Sequence, residues 1–152
     1  MTTRSPSEKR TISDFRITTT IDAPAERVWA VLADVERWPE WTASVSSVEI
    51  LTGAPLGMDG RVRIDQPKLR PAVWTVTLWQ PGQRFVWEST NPGVKVVAEH
   101  VIAPSTGGCT VTLTVHFNGL LGSAMGALNR KLTCHYLELE ANGLKARSES
   151  RS

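Results

Sequence analysis

A chain of 152 residues, 41% hydrophobic and 21% charged, has the size and composition of one globular domain that buries roughly 70% of its unfolded surface, which excludes a disordered chain. Its formal charge of +2 comes from 17 basic and 15 acidic residues mixed along the chain, so no basic stripe offers a track for nucleic acid. Met1–Ser13 holds no apolar run of the signal-peptide kind, and the longest small-and-apolar stretch, Gly119–Leu128, is too short to span a bilayer. A cytoplasmic protein with no stable membrane insertion is expected.

Residues 1–13 and 148–152 are polar and aperiodic and read as flexible tails around a single domain over residues 14–147. Phe15, Ile17, Thr19 and Ile21 alternate with polar residues, the period-2 mark of a half-buried first strand. Asp22 can cap a helix from Pro24 to Ala33, with Pro24 in the first turn and Glu26 facing the N-terminal dipole. Asp34 can cap a second short helix, expected to stop near Trp38 because the residue before Pro39 is driven from the α region.

Turn residues then punctuate six strands, near Val45–Leu51, Arg61–Asp65, Ala72–Trp79, Arg84–Ser89, Val94–Ala103 and Cys109–Phe117. Short connections between them require an antiparallel meander. After Gly119 the period changes to 3.6, and Leu121, Met125, Leu128, Leu132, Tyr136 and Leu139 predict one long helix. Gly143 weakens its last turns without forbidding them. Cys109 on a strand and Cys134 on a helix read as two buried free thiols.

The fold class is therefore α+β: a curved antiparallel sheet of about seven strands closing around a long C-terminal helix, with two short helices after strand one. A twisted sheet and a straight helix diverge, which leaves space for large side chains or for a ligand. Parity turns Trp74, Val76, Leu78, Phe85, Trp87, Ala98, His100, Ile102, Leu113 and Phe117 inward. Glu88, Glu99, Asp65 and Arg63 fall on the outer parity, as does His116.

Ile21-Asp22-Ala23-Pro24-Ala25-Glu26-Arg27-Val28-Trp29, followed by Asp34-Val35-Glu36-Arg37-Trp38-Pro39-Glu40-Trp41, resembles the opening of the polyketide cyclase/dehydrase-like branch of the START-like (SRPBCC) superfamily. The strand Gly108-Cys109-Thr110-Val111-Thr112-Leu113-Thr114-Val115, Gly119 and the terminal helix are similar to that branch too. The resemblance implies a helix-grip fold with an internal cavity. Its members hold sterols, lipids, quinone-like molecules, hormones or polyketide intermediates there, and only some are enzymes, so it implies a pocket more than a reaction.

His100 interrupts an apolar inward face; it could orient a ligand oxygen or move a proton, or be a core histidine bonded to backbone or to Tyr136. Tyr136 could likewise offer its hydroxyl to a ligand or serve as an amphipathic wall. No metal-ligand spacing, nucleophile elbow or phosphate loop occurs, so neither a metal nor a cofactor is expected. The expected partner is a hydrophobic small molecule (lipid, quinone or polyketide-like), bound by a monomer or weak dimer at Trp74, Phe85, Trp87, Ala98, His100, Leu113, Met125, Leu128, Leu132 and Tyr136. The alternative is a polyketide aromatase/cyclase or dehydratase, with His100 and Tyr136 as proton carriers. The sequence shows no exposed hydrophobic stripe that would suggest a protein-interaction module.

Overall fold

The computed structural model describes residues 14–150; the tails expected at residues 1–13 and 151–152 lie outside the described residues. Alternation along β1 (Asp14–Ile21) buries Phe15 and Ile21 and exposes Arg16, Thr18 and Thr20. Six further strands follow in an antiparallel meander: β2 (Ser47–Ile50), β3 (Arg61–Asp65), β4 (Ala72–Gln80), β5 (Arg84–Asn91), β6 (Val94–Ser105) and β7 (Gly108–Asn118). Because β1 pairs with β7, the order across the sheet is β1-β7-β6-β5-β4-β3-β2. The seven-stranded antiparallel sheet is as expected, and it is open, with β1 and β2 as its edges.

Between β1 and β2 lie α1 (Ala25–Ala33) and a 3₁₀ helix (Val35–Glu40). Val28, Leu32, Val35 and Trp38 of this pair are buried in the core. Two expectations fail here. Pro24, not Asp22, occupies the N-cap of α1, without a side-chain bond, because the helix begins only at Ala25; the Asp22 N–H donates instead to Glu149 Oε2 at 2.8 Å. The second helix does not stop at Trp38: the tighter 3₁₀ turn carries the chain through Pro39 and ends on a Trp41 N–H to Trp38 carbonyl bond of 3.0 Å.

Parity along β4 is also broken. A bulge between Val76 and Leu78 moves the register, so that Trp79 pairs with Phe85 and packs on the core. Leu78, expected to face inward, is displaced by that extra residue.

The C-terminal segment is two helices, α2 (Gly122–Leu128) and α3 (Arg130–Glu149). Asn129 marks the break: its backbone leaves helical values, at φ −100° and ψ 14°, and its side-chain Nδ2 donates at 2.9 Å to the Met125 carbonyl that its own N–H also reaches at 3.0 Å. Gly122 sits tightly against β7, since a Cβ there would lie 2.6 Å from the Phe117 carbonyl oxygen. Leu128, just before the break, is 78% exposed. Cys109 is buried, which raises its thiol pKa, but Cys134 points out from α3 and is exposed rather than buried.

The tail expected from residue 148 is instead structured, for α3 runs to Glu149 and Ser148 is fully buried. Lys145 Nζ donates to the Thr20 carbonyl and to Glu149 Oε2, each at 2.7 Å. Arg27 donates to the Ser150 carbonyl. At Gly143 the helix crosses so close to Trp41 that a Cβ would overlap the Trp41 carbonyl oxygen and lie 3.0 Å from its carbon.

Gly143→Ala should therefore destabilise the protein by about 1–3 kcal/mol through overpacking, against its gain in helix propensity. Thermal melts would show a clear fall in Tm, whereas Gly57→Ala, with no atom within 4 Å of its added Cβ, should be near neutral. A second expectation concerns Glu149, whose carboxyl is held below the usual value by the Asp22 N–H and then by Lys145. A lowered folded-state pKa stabilises above the ordinary carboxylate range and is lost as pH falls through the folded value. Glu149→Gln should lower Tm at neutral pH, with the difference from the parent closing below about pH 4.

Candidate functional site

A cavity of about 390 Å³ lies between the sheet and the α2–α3 arm. Its floor comes mainly from strand positions of one parity, Trp74 of β4, Trp87 of β5, Ala98 and His100 of β6 and Leu113 of β7, although Glu99, expected on the outer face, and Thr114 also border it. Its roof is a line of residues on α3 spaced i, i+4, i+8, namely Leu132, Tyr136 and Glu140, continued onto α2 by Met125. Trp38 from the 3₁₀ helix closes one side, its indole Nε1 donating to the Leu32 carbonyl at 2.9 Å.

His100 is 3% exposed and stacked on Phe85, with ring centroids 4.1 Å apart and planes 14° apart. Trp38 and Trp87 approach it edge-on at 5.8 and 5.4 Å. Nδ1 is 3.3 Å from the Phe85 carbonyl oxygen, and Nε2 is 3.5 Å from Glu140 Oε1. A carbonyl only accepts, so Nδ1 carries hydrogen when this bond forms. Nε2 then meets the carboxyl with a lone pair, and bonding between them needs one further proton, on the ring or on Glu140. The imidazole and the carboxyl thus face one another at the cavity wall.

Tyr136 is engaged elsewhere. Its hydroxyl donates to the Pro67 carbonyl on the β3–β4 loop, and burial raises its phenol pKa. His100 therefore has Phe85 and Glu140 as partners, not Tyr136. A different polar group lacks any protein partner: the buried indole Nε1 of Trp74, a residue of the cavity wall. A buried donor left unpaired by its own protein is uncommon.

Eight of the ten residues expected to line a site surround this cavity: Trp74, Trp87, Ala98, His100, Leu113, Met125, Leu132 and Tyr136. The structure separates the other two from it. Phe85 is fully buried beneath His100 and belongs to the core, and Leu128 lies just before the break at Asn129 and is turned to solvent. Glu140, Trp38, Asn129 and the loop residues Leu69–Pro71 also line the space and were not anticipated. Glu140 could have been found by extending the Leu132–Tyr136 spacing by one more turn.

His116, expected on the outer parity, pairs there with Asp14 through Nδ1 at 2.9 Å. Arg63 is exposed, and Glu88 pairs with Lys95 at 3.1 Å, both away from the cavity. Among the described residues no three His, Cys, Asp or Glu side chains converge as a metal site. No helix of the described residues is long and apolar enough to cross a membrane.

Several solved structures share this architecture. The chain is similar to the di-domain ARO/CYC StfQ of the steffimycin biosynthetic pathway, with 13% identity, a TM-score of 0.73 and coverage of 95% of this chain and 54% of that one. It thus spans about half the length of that protein. Similarity to the Zhui aromatase/cyclase of a Streptomyces species extends over 91% of this chain and 94% of that one, at 21% identity and a TM-score of 0.72. For a START superfamily protein of Mycobacterium smegmatis the values are 90% and 97%, 20% and 0.70. At these identities the likeness is one of fold. No curated protein shows a significant match. A family model described as polyketide cyclase/dehydrase and lipid transport matches residues 13–149, nearly the whole chain, and the protein is a member of that family.

Proposed function

We propose that this protein binds a hydrophobic small molecule carrying at least one oxygen function, of lipid, quinone or polyketide type, between the sheet and α3. The observation that carries this reading is the cavity itself: about 390 Å³, within the range of small-molecule sites, mostly apolar, with a few convergent polar groups. Trp74 Nε1 would donate to a ligand oxygen, and the His100–Glu140 pair would meet a second one. Residues 14–150 act as one unit in this reading, since strands and helices from both ends of the chain build the same cavity.

A second reading rests on the His100–Glu140 pair alone. A shared proton against an apolar cavity is suited to aldol closure or loss of water from a confined poly-β-keto chain, where holding the chain in a reactive conformation supplies most of the acceleration. The aromatase/cyclase names of two similar structures favour this alternative. His100 and Glu140 would be its proton carriers. Tyr136 would position the β3–β4 loop instead.

Trp38, Trp74 and Trp87 all border the cavity, so titration with fatty acids, quinones and aromatic polyketides should change tryptophan fluorescence and raise Tm. Leu132→Trp, placed at a half-buried roof position, should fill the space and abolish both responses while leaving the unliganded Tm close to the parent; an unchanged titration would sink the binding reading. The enzymatic reading predicts that Glu140→Gln and His100→Gln lower turnover of a poly-β-keto thioester analogue about 10²–10⁴-fold with a much smaller change in its Kd. Equal losses in binding and turnover would assign the pair to binding only.

A further inference from the structure

The surface at the cavity mouth carries a second feature that ligand binding does not explain. Leu120 is 99% exposed, Leu128 78% and Leu121 52%. Leu128, with exposed Ala124 and Ala127, lies on the side of α2 away from Gly122 and Gly126, which are buried, and Leu120 and Leu121 extend this apolar surface through the turn that precedes the helix. This is an apolar stripe on the finished surface, contrary to the expectation that none exists. Isolated exposed leucines are ordinary, but a cluster beside a cavity marks an interaction site.

The stripe is continuous with the mouth. Leu69, Arg70, Pro71 and Asn91 are the exposed members of the cavity lining and mark where it meets solvent. The Leu121 N–H donates to the Gly93 carbonyl at 2.8 Å, which ties the stripe to the turn beside Asn91. Met125 and Asn129, on the same arm, line the cavity from within.

Charge identifies the occupant. Lys68 and Arg70 are exposed on the loop that frames the mouth, and Lys131 is exposed in the first turn of α3, next to the roof residue Leu132, whereas Arg130 lines a separate hollow with Asp14 and Glu138. No acidic residue occurs between Gln66 and Trp87, or between Gly119 and Leu137. A second copy of the chain would set these positive charges against their own like, so self-association through the rim is opposed. A negatively charged apolar medium matches both features.

We propose that this rim docks on the surface of a bilayer containing anionic lipids. Leu120, Leu121 and Leu128 enter the boundary between headgroups and acyl chains, Lys68, Arg70 and Lys131 face lipid phosphates, and the cavity opens at the membrane. Attachment is peripheral, as no helix of the described residues could span the bilayer. A water-insoluble ligand then passes between membrane and cavity without crossing bulk water.

Co-flotation of the full chain with phosphatidylcholine vesicles, with and without phosphatidylglycerol, tests this. Binding is expected only to the phosphatidylglycerol vesicles and should weaken as salt rises. Leu120→Glu/Leu128→Glu and Lys68→Glu/Arg70→Glu should each lower it about tenfold or more with Tm unchanged, because all four side chains are exposed. Absence of binding to phosphatidylglycerol vesicles, or binding that survives Leu120→Glu/Leu128→Glu, overturns the proposal. A solution dimer that dissociates in this double variant also overturns it, by assigning the stripe to a second copy. The assay needs no cavity ligand, so its failure leaves the ligand-binding reading intact.

Discussion

The structure depends on α3 being held most tightly towards its C-terminal end. Near its C-terminus the helix is pressed onto the 3₁₀ segment at Gly143, where the Trp41 carbonyl occupies the place of a side chain. It is tied to the β1–α1 connection by Lys145 and Glu149. Ala141, Leu144 and Ser148 are buried there, but between Arg130 and His135 no residue is. A straight helix clamped at one end and facing a twisted sheet must diverge from it at the other. The cavity is that divergence, and the residues of α3 from Leu132 to Glu140 roof it.

This geometry decides which polar groups can act inside. Glu140 sits one turn before Gly143, where the gap is still narrow, and so reaches His100 on β6. Tyr136, a turn further out, bridges to the β3–β4 loop at Pro67 instead. The imidazole is fixed from below by Phe85 and from two edges by Trp38 and Trp87. A ring so enclosed has little rotational freedom, so its Nε2 direction is set before any ligand arrives. That pre-positioning serves orientation and proton transfer alike.

Much of the fold was legible because alternation and helical periodicity report burial directly. Phe15 to Ile21 and the β6 and β7 parities needed no knowledge of partners. The misreadings share one cause, which is that periodicity within an element carries no information about its neighbours. The bulge after Val76 arises from pairing with β5, so the strand's own alternation could not reveal it. Leu121, Leu128 and Leu139 fit the same helical repeat as Leu132, and the repeat continues across Asn129 as if the axis were straight. The run is broken at Asn129, and Gly122 is seated tightly on β7, neither of which the repeat records. Glu140 was passed over since a charged residue on an apolar stripe looks like the edge of that stripe. It lies within it, where His100 faces it at 3.5 Å.

The cavity and the exposed stripe meet on one arm. The helical run is interrupted at Asn129, between Leu128 and the roof residue Leu132. Leu128 is exposed with Leu120 and Leu121 on the surface, while Met125 and Asn129 line the wall. Three leucines removed from water by nothing in the chain itself destabilise the free protein relative to a buried arrangement. Such an arrangement is coherent if the arm that opens the cavity also contacts the medium from which its ligand comes. The same arm then lines the cavity from within and presents its apolar residues to the outside.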